Sequence, residues 1–183
     1  MPNVFGRDVT RVDDIVAAFR RHGDAVRGTY RARYVFDDHA SDPYSGAALE
    51  RPPALAGNPP GVVYPWEQVI LSAAQCAGSD YPMLAEHFGV PIRRTEFVVE
   101  CEFDPRGEFD GLAGFVAPAS AAGCYLALHV AARLTSDADT ARLEEIHRRV
   151  LRHNMVLGAL RGIPRTDGLE LVRIPAAASP EWG

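Results

Sequence analysis

Cysteine is scarce in this chain: Cys76, Cys101 and Cys124 are odd in number and far apart. That pattern excludes a disulfide scaffold and a zinc site built on closely spaced cysteine pairs, so any sulfur chemistry must come from individual thiols. Basic residues are outnumbered, 19 Lys plus Arg against 24 Asp plus Glu, and the net charge of -5 offers no footprint for nucleic acid. No apolar run approaches the length that spans a bilayer. The first residues also lack the basic stretch and apolar core of a secretory leader. A cytoplasmic protein with no membrane contact is the expectation. No two histidines have the short spacing of a metal site, and neither a Gly-rich phosphate loop nor a GxSxG elbow is present, so no metal and no cofactor are expected.

What is there suits one globular domain: 183 residues, 47% hydrophobic and 23% charged. Residues 1–25 are expected to form a helical extension, 26–174 the main domain, and 175–183 a frayed tail. In the extension, Thr10 and Asp13 resemble a capping box. Val12, Ile15, Val16 and Phe19 form its apolar stripe, and Gly23 ends it. From Val26 to Phe36, Tyr30, Ala32 and Tyr34 alternate with Thr29, Arg31 and Arg33, which predicts a strand with one basic face. Residues 37–65 are proline-rich and read as a long loop of the kind that is functional or mobile.

Trp66 to Phe88 reads as a long helix closed by Gly89 and Pro91, with Pro82 inside it predicting a kink just after Cys76. Thr95, Phe97, Val99, Cys101 and Phe103 alternate with Glu96, Val98, Glu100 and Glu102 as a half-buried strand, and Gly111 to Ala117 could return as another. Cys124, Leu126, Leu128, Val130 and Ala132 line one face of a further strand. Asp137 or Asp139 can cap a helix reaching His153, and Leu169 to Ile174 reads as a last strand. The order points to an α+β domain in which helices pack on an antiparallel sheet.

Cys101 and Cys124 share their faces with apolar neighbours, where free cysteine acts as a small hydrophobe. Cys76 falls on a helical stripe with Val69, Ser72, Ala73, Asp80 and Met83, which mixes apolar, hydroxyl and acidic groups. A nucleophilic cysteine reacts as the thiolate, which needs a nearby cation, and Arg31 or Arg33 is the best candidate. His147, Arg148, Arg149, Arg152 and His153 read as a solvated basic face with Glu144 and Glu145 as partners, and His129 as a hydrogen-bonded structural residue.

The stretch PWEQVILSAAQC, then HFGVPI, an alternating strand, CYLALHVAARLTSDAD and a helix ending LRHNMVLGALRG, together resemble the OsmC/Ohr family over residues 26–174. The resemblance implies an OsmC-like fold, with a central cysteine-bearing helix on an antiparallel sheet, and an intertwined homodimer. It further implies a peroxidatic thiol, for which Cys76 matches the position, that reduces organic hydroperoxides with help from an arginine and a glutamate. Two positions depart from the family pattern. Asn154 stands where the family's second, resolving cysteine belongs, and Trp66 stands at the family's glutamate position, with Glu67 one residue later. One position turns a helical side chain by about 100°.

Two functions follow as expectations. The first is a thiol-dependent peroxidase of the oxidative-stress type. It would use Cys76 with Arg31, Arg33 and Glu67, an apolar substrate pocket of Tyr64, Trp66, Met83 and Phe88, and an external thiol reductant. The second is a non-redox binding protein, or a tailoring enzyme of specialised metabolism, using the same cavity for a hydrophobic small molecule.

Overall fold

The computed structural model describes residues 12–42, 46–51, 63, 65–121 and 124–173. Thr10 of the expected capping box, Tyr64 and the tail from 174 onward lie outside the described residues.

The elements run α1 (Val12–His22), β1 (Gly28–Asp37), β2 (Ala48–Glu50), α2 (Pro65–Phe88), β3 (Arg94–Phe103), β4 (Tyr125–Ser136), α3 (Thr140–His153), α4 (Met155–Ala159) and β5 (Arg165–Arg173). The strands form one sheet in the order β2-β1-β3-β4-β5. This is the expected α+β class, with one correction: β5 lies parallel to β4, so the sheet is mixed rather than antiparallel. Neighbouring parallel strands need a crossover that carries the chain back along the sheet, and α3 with α4 provides it. A second correction concerns 111–117, which holds a single short 3₁₀ turn at Leu112–Gly114 instead of a strand. Gly111, Ala113 and Gly114 all take positive φ, which breaks an extended run. The proline-rich stretch also holds a short edge strand, β2, that its composition did not announce.

Alternation decides which face of the sheet is core. Tyr30, Ala32, Tyr34 and Phe36 of β1, Phe97, Val99, Cys101 and Phe103 of β3, and Leu128, Val130, Ala132 and Leu134 of β4 are buried together beneath the helices. The opposite face carries crossed ion pairs: Arg31 with Glu100 at 3.4 Å, Arg33 with Glu96 at 3.5 Å and Arg133 with Glu170 at 3.3 Å.

Helix α2 lies against the buried face through Ile70, Ala73, Ala74, Ala77, Gly78, Tyr81 and Ala85, whose three- and four-residue spacing makes one stripe. The small residues allow close approach. A Cβ on Gly78 would sit 2.2 Å from the Tyr34 ring. The helix runs unbroken through Pro82 to Phe88. It ends in a left-handed Gly89, with the amide of Val90 donating to the Ala85 carbonyl and that of Gly89 to Glu86.

Helix α1 packs outside this core, with Phe19 against Phe109 and Phe115 at centroid distances of 5.3 and 5.8 Å. The turn after β3 is tied down by Arg106, which donates to the fully buried Asp104 at 2.7 Å and to Asp24 at 2.8 Å. Burial alone would push the Asp104 carboxyl up. The Arg106 hydrogen bonds outweigh it and hold the group below its ordinary range.

Candidate active site

Cys76 stands at the edge of the buried stripe of α2, half-buried, where the helix passes the junction of α3 and α4. That junction is built on one residue. Asn154 closes α3, its amide donating to the Val150 carbonyl at 2.9 Å, and opens α4, its side-chain oxygen accepting from the amides of Val156 and Leu157 at 3.1 and 2.9 Å. The remaining end of the side chain faces α2. Asn154 Nδ2 donates to Cys76 Sγ at 3.2 Å and to Asp80 Oδ2 at 2.8 Å. Asn154 is thus in direct contact with Cys76.

Around the sulfur is an open cleft of about 350 Å³ lined by Cys76, Asp80, Met83, Leu84, Arg149, Val150, His153, Asn154 and Met155. Its walls are largely apolar, with Asp80, Arg149, His153 and Asn154 as the polar groups among them. Met83 and Met155 are 57% and 80% exposed. Arg149 pairs with Glu145 at 2.7 Å and lies 5.0 Å over the Phe88 ring. Phe88 lines a neighbouring cleft of about 370 Å³ with Val90, Ala141, Arg142, Glu145 and Ile146.

The residues expected around Cys76 divide sharply. Met83 is in the cleft and Phe88 beside it. Trp66 is elsewhere: it stacks on Phe103 at 4.3 Å and meets Tyr30 at 4.5 Å, ten residues or about 15 Å along the helix from Cys76. Arg31 and Arg33 lie on the sheet face opposite α2, paired with glutamates, because their odd positions alternate with the buried Tyr30, Ala32 and Tyr34. Within the chain they do not approach the sulfur. Glu67 is fully buried, held by Arg51 Nε at 2.6 Å and Nη2 at 2.8 Å. Nine residues place it about half a turn round and about 13 Å along from Cys76. Arg51 itself carried no periodic signal, because it follows a three-residue strand in the proline-rich stretch.

The basic cluster of α3 splits instead of forming one solvated face. Arg148 is exposed and pairs with Glu145 at 2.6 Å, while Arg149 and His153 reach the cleft. His147 is buried, with Nδ1 2.6 Å from the Tyr81 hydroxyl. Burial lowers the His147 pKa against an opposing pull from Asp167, and burial raises that of Tyr81. The helical spacing of His147 with Leu143, Val150 and Leu151 was the signal for its inward position. His129 hydrogen-bonds Thr166 Oγ1 at 2.8 Å.

The other two thiols lie toward the opposite end of α2. The Tyr125 hydroxyl donates to the Trp66 carbonyl at 2.8 Å, so Cys124, its neighbour in sequence, is near the helix start. Cys124 precedes β4 with φ 62 rather than forming part of its face. Burial raises its pKa, and burial with Glu102 pushes Cys101 up to about 12. A disulfide needs Cα atoms within roughly 7 Å, and the length of helix separating these thiols from Cys76 exceeds that. Among the described residues there is no group of three or more His, Cys, Asp or Glu side chains fit to hold a metal ion, and no helix long and apolar enough to cross a membrane.

No protein-family model matches the chain, and no curated protein is similar to it in sequence. Solved structures similar to it include a hypothetical protein from Aquifex aeolicus VF5, with TM-score 0.47, 10% identity, and 62% of this chain and 77% of that one covered. Another is an OsmC like protein from Mycoplasma pneumoniae, with TM-score 0.46, 12% identity, and 68% of this chain and 78% of that one covered.

Proposed function

We propose that the protein is a thiol-dependent peroxidase acting on organic hydroperoxides through Cys76. The observation that carries this reading is the setting of that sulfur, half-buried in a largely apolar cleft that Arg149 also lines, while Cys101 is buried and neither it nor Cys124 lines the cleft. Peroxide reduction needs a sulfur open to substrate and shielded from bulk water on its other sides, and the cleft supplies both. The Cys76 thiolate attacks one peroxide oxygen; a sulfur–oxygen bond forms, the oxygen–oxygen bond breaks, and the departing alkoxide takes a proton to leave as an alcohol. Cys76 is oxidised to the sulfenic acid. A first external thiol then displaces water to give a mixed disulfide, and a second releases the reduced Cys76 with an external disulfide. Asn154 cannot resolve the sulfenic acid covalently, so the cycle depends on that external thiol.

The exposed Met83 and Met155 support a second copy of the chain closing over the cleft as a homodimer, which sedimentation analysis would test. The non-redox reading, a binding protein for a hydrophobic small molecule or a tailoring enzyme, keeps one observation in its favour. The arginines and the glutamate expected to activate the thiol are engaged elsewhere within the chain. The two readings part on one experiment. Reduced protein and its Cys76→Ser variant are mixed with cumene hydroperoxide, and intact mass is followed with peroxide loss. Uptake of one oxygen by the wild type alone supports the peroxidase. An unchanged mass defeats it and leaves the binding protein.

A further inference from the structure

Asn154 is 4% exposed, and every hydrogen-bonding group of its side chain is engaged. The amide cannot be turned over. With the oxygen and nitrogen exchanged, the NH2 would face the backbone N–H groups of Val156 and Leu157, and the oxygen would face the Asp80 carboxylate and the sulfur, leaving four groups mismatched. The start of α4 therefore decides that two N–H donors point at α2. Those donors meet two acceptors one helical turn apart, Cys76 Sγ and Asp80 Oδ2. Without the amide, the carboxylate would border the sulfur with no donor between them, an arrangement that opposes a second negative charge.

We propose that Asn154 is a positioning residue for Cys76: its locked amide gives one N–H to the sulfur and the other to Asp80, holding the sulfur in the cleft and separating it from the carboxylate. This rests on the reading of Cys76 as a nucleophile and names the group that orients it. A resolving thiol at this corner would consume the sulfenic acid. An amide instead keeps the sulfur oriented through the cycle and leaves the sulfenic acid to an external thiol. The titratable and charged groups that face the site are Asp80 from α2 and Arg149 and His153 from α3, so a change at Asn154 is read against those three.

The test compares the full chain with Asn154→Asp and Asn154→Ser. Asp and Ser both cap helix starts, so α4 keeps its opening, but Asp replaces the donors with negative charge and Ser is too short to reach the sulfur. The probe is iodoacetamide, which is neutral, with alkylation of Cys76 followed by peptide mass across a pH series and thermal midpoints measured alongside. Asn154→Asp should slow alkylation at neutral pH about tenfold and move the half-maximal rate upward by about one pH unit, as expected for a hydrogen bond to a charged group. Asn154→Ser should shift the profile in the same direction by less. Profiles that coincide with the wild type in both variants would overturn the proposal; should Asn154→Asp fail to fold, the Ser profile decides. Failure of the wild type to take up oxygen from cumene hydroperoxide defeats the peroxidase reading instead, and leaves the alkylation comparison standing.

Discussion

Cys101 and Cys76 both belong to long regular elements on the same side of the sheet, yet one is inert by placement and the other is open to chemistry. Cys101 has no exposure, and its thiol is pushed up to about 12 because burial and the neighbouring Glu102 both oppose its charge. Cys76 lies where the apolar stripe of α2 ends, with an amide donor on its sulfur and a cleft beyond. The difference lies in the second contact. A strand in the middle of a sheet is enclosed by both neighbours, whereas the edge of a helix meets whatever the next helices bring, here the turn at Asn154.

The comparison breaks most completely with Cys76→Ser, which should abolish rapid alkylation and peroxide uptake, while Cys101→Ser leaves both at the wild-type rate. Equal loss in the two variants, read by peptide mass, would mean the thiols are not distinct in kind. Next comes the other end of α2. Arg51→Ala takes a guanidinium away from the buried Glu67 carboxylate and should cost about 3 kcal/mol in urea unfolding, with Cys76 alkylation in the folded protein unchanged. A tenfold fall in that rate would instead give Glu67 a part in the chemistry.

Gly78→Ala forces a methyl group into the Tyr34 ring and should cost about 1–3 kcal/mol by the same unfolding measurement. A wild-type midpoint there would mean α2 sits farther from the sheet. His147 adds a pH-dependent term. Because burial lowers its pKa below the ordinary 6.5, the unfolded chain takes up the proton first as pH falls, so stability declines through the window below pH 6.5. His147→Gln should flatten that decline, and an unchanged slope would assign it to other groups. The smallest effect belongs to the outer sheet face: Arg31→Gln and Arg33→Gln should each change stability by less than about 1 kcal/mol and leave alkylation of Cys76 as it was. Slower alkylation in either would bring the first strand back to the site.

Much of this was legible beforehand. The alternation of Thr95 to Phe103 set the faces of β3, and Gly89 with Pro91 marked the end of α2, because both signals come from local backbone geometry. The same alternation in β1 already put Arg31 and Arg33 on one side, but not which side faced α2. That depended on Tyr30 and Tyr34 meeting the helix, a choice made by packing between elements distant in sequence. Arg51 was hidden for a related reason, since its role comes only from the chain returning to Glu67 across the proline-rich stretch.

By itself, then, the amino-acid order determined the helix that carries Cys76 and the strands that flank it. The tertiary structure decided the rest: that β5 runs parallel to β4, that the arginines of β1 look away from the sulfur, and that Asn154 touches it. Hydrogen bonding along a helix or alternation along a strand is written in neighbouring residues. The meeting of Asn154 with Cys76 and Asp80, 78 and 74 residues away, depends on three-dimensional closure that no local pattern records.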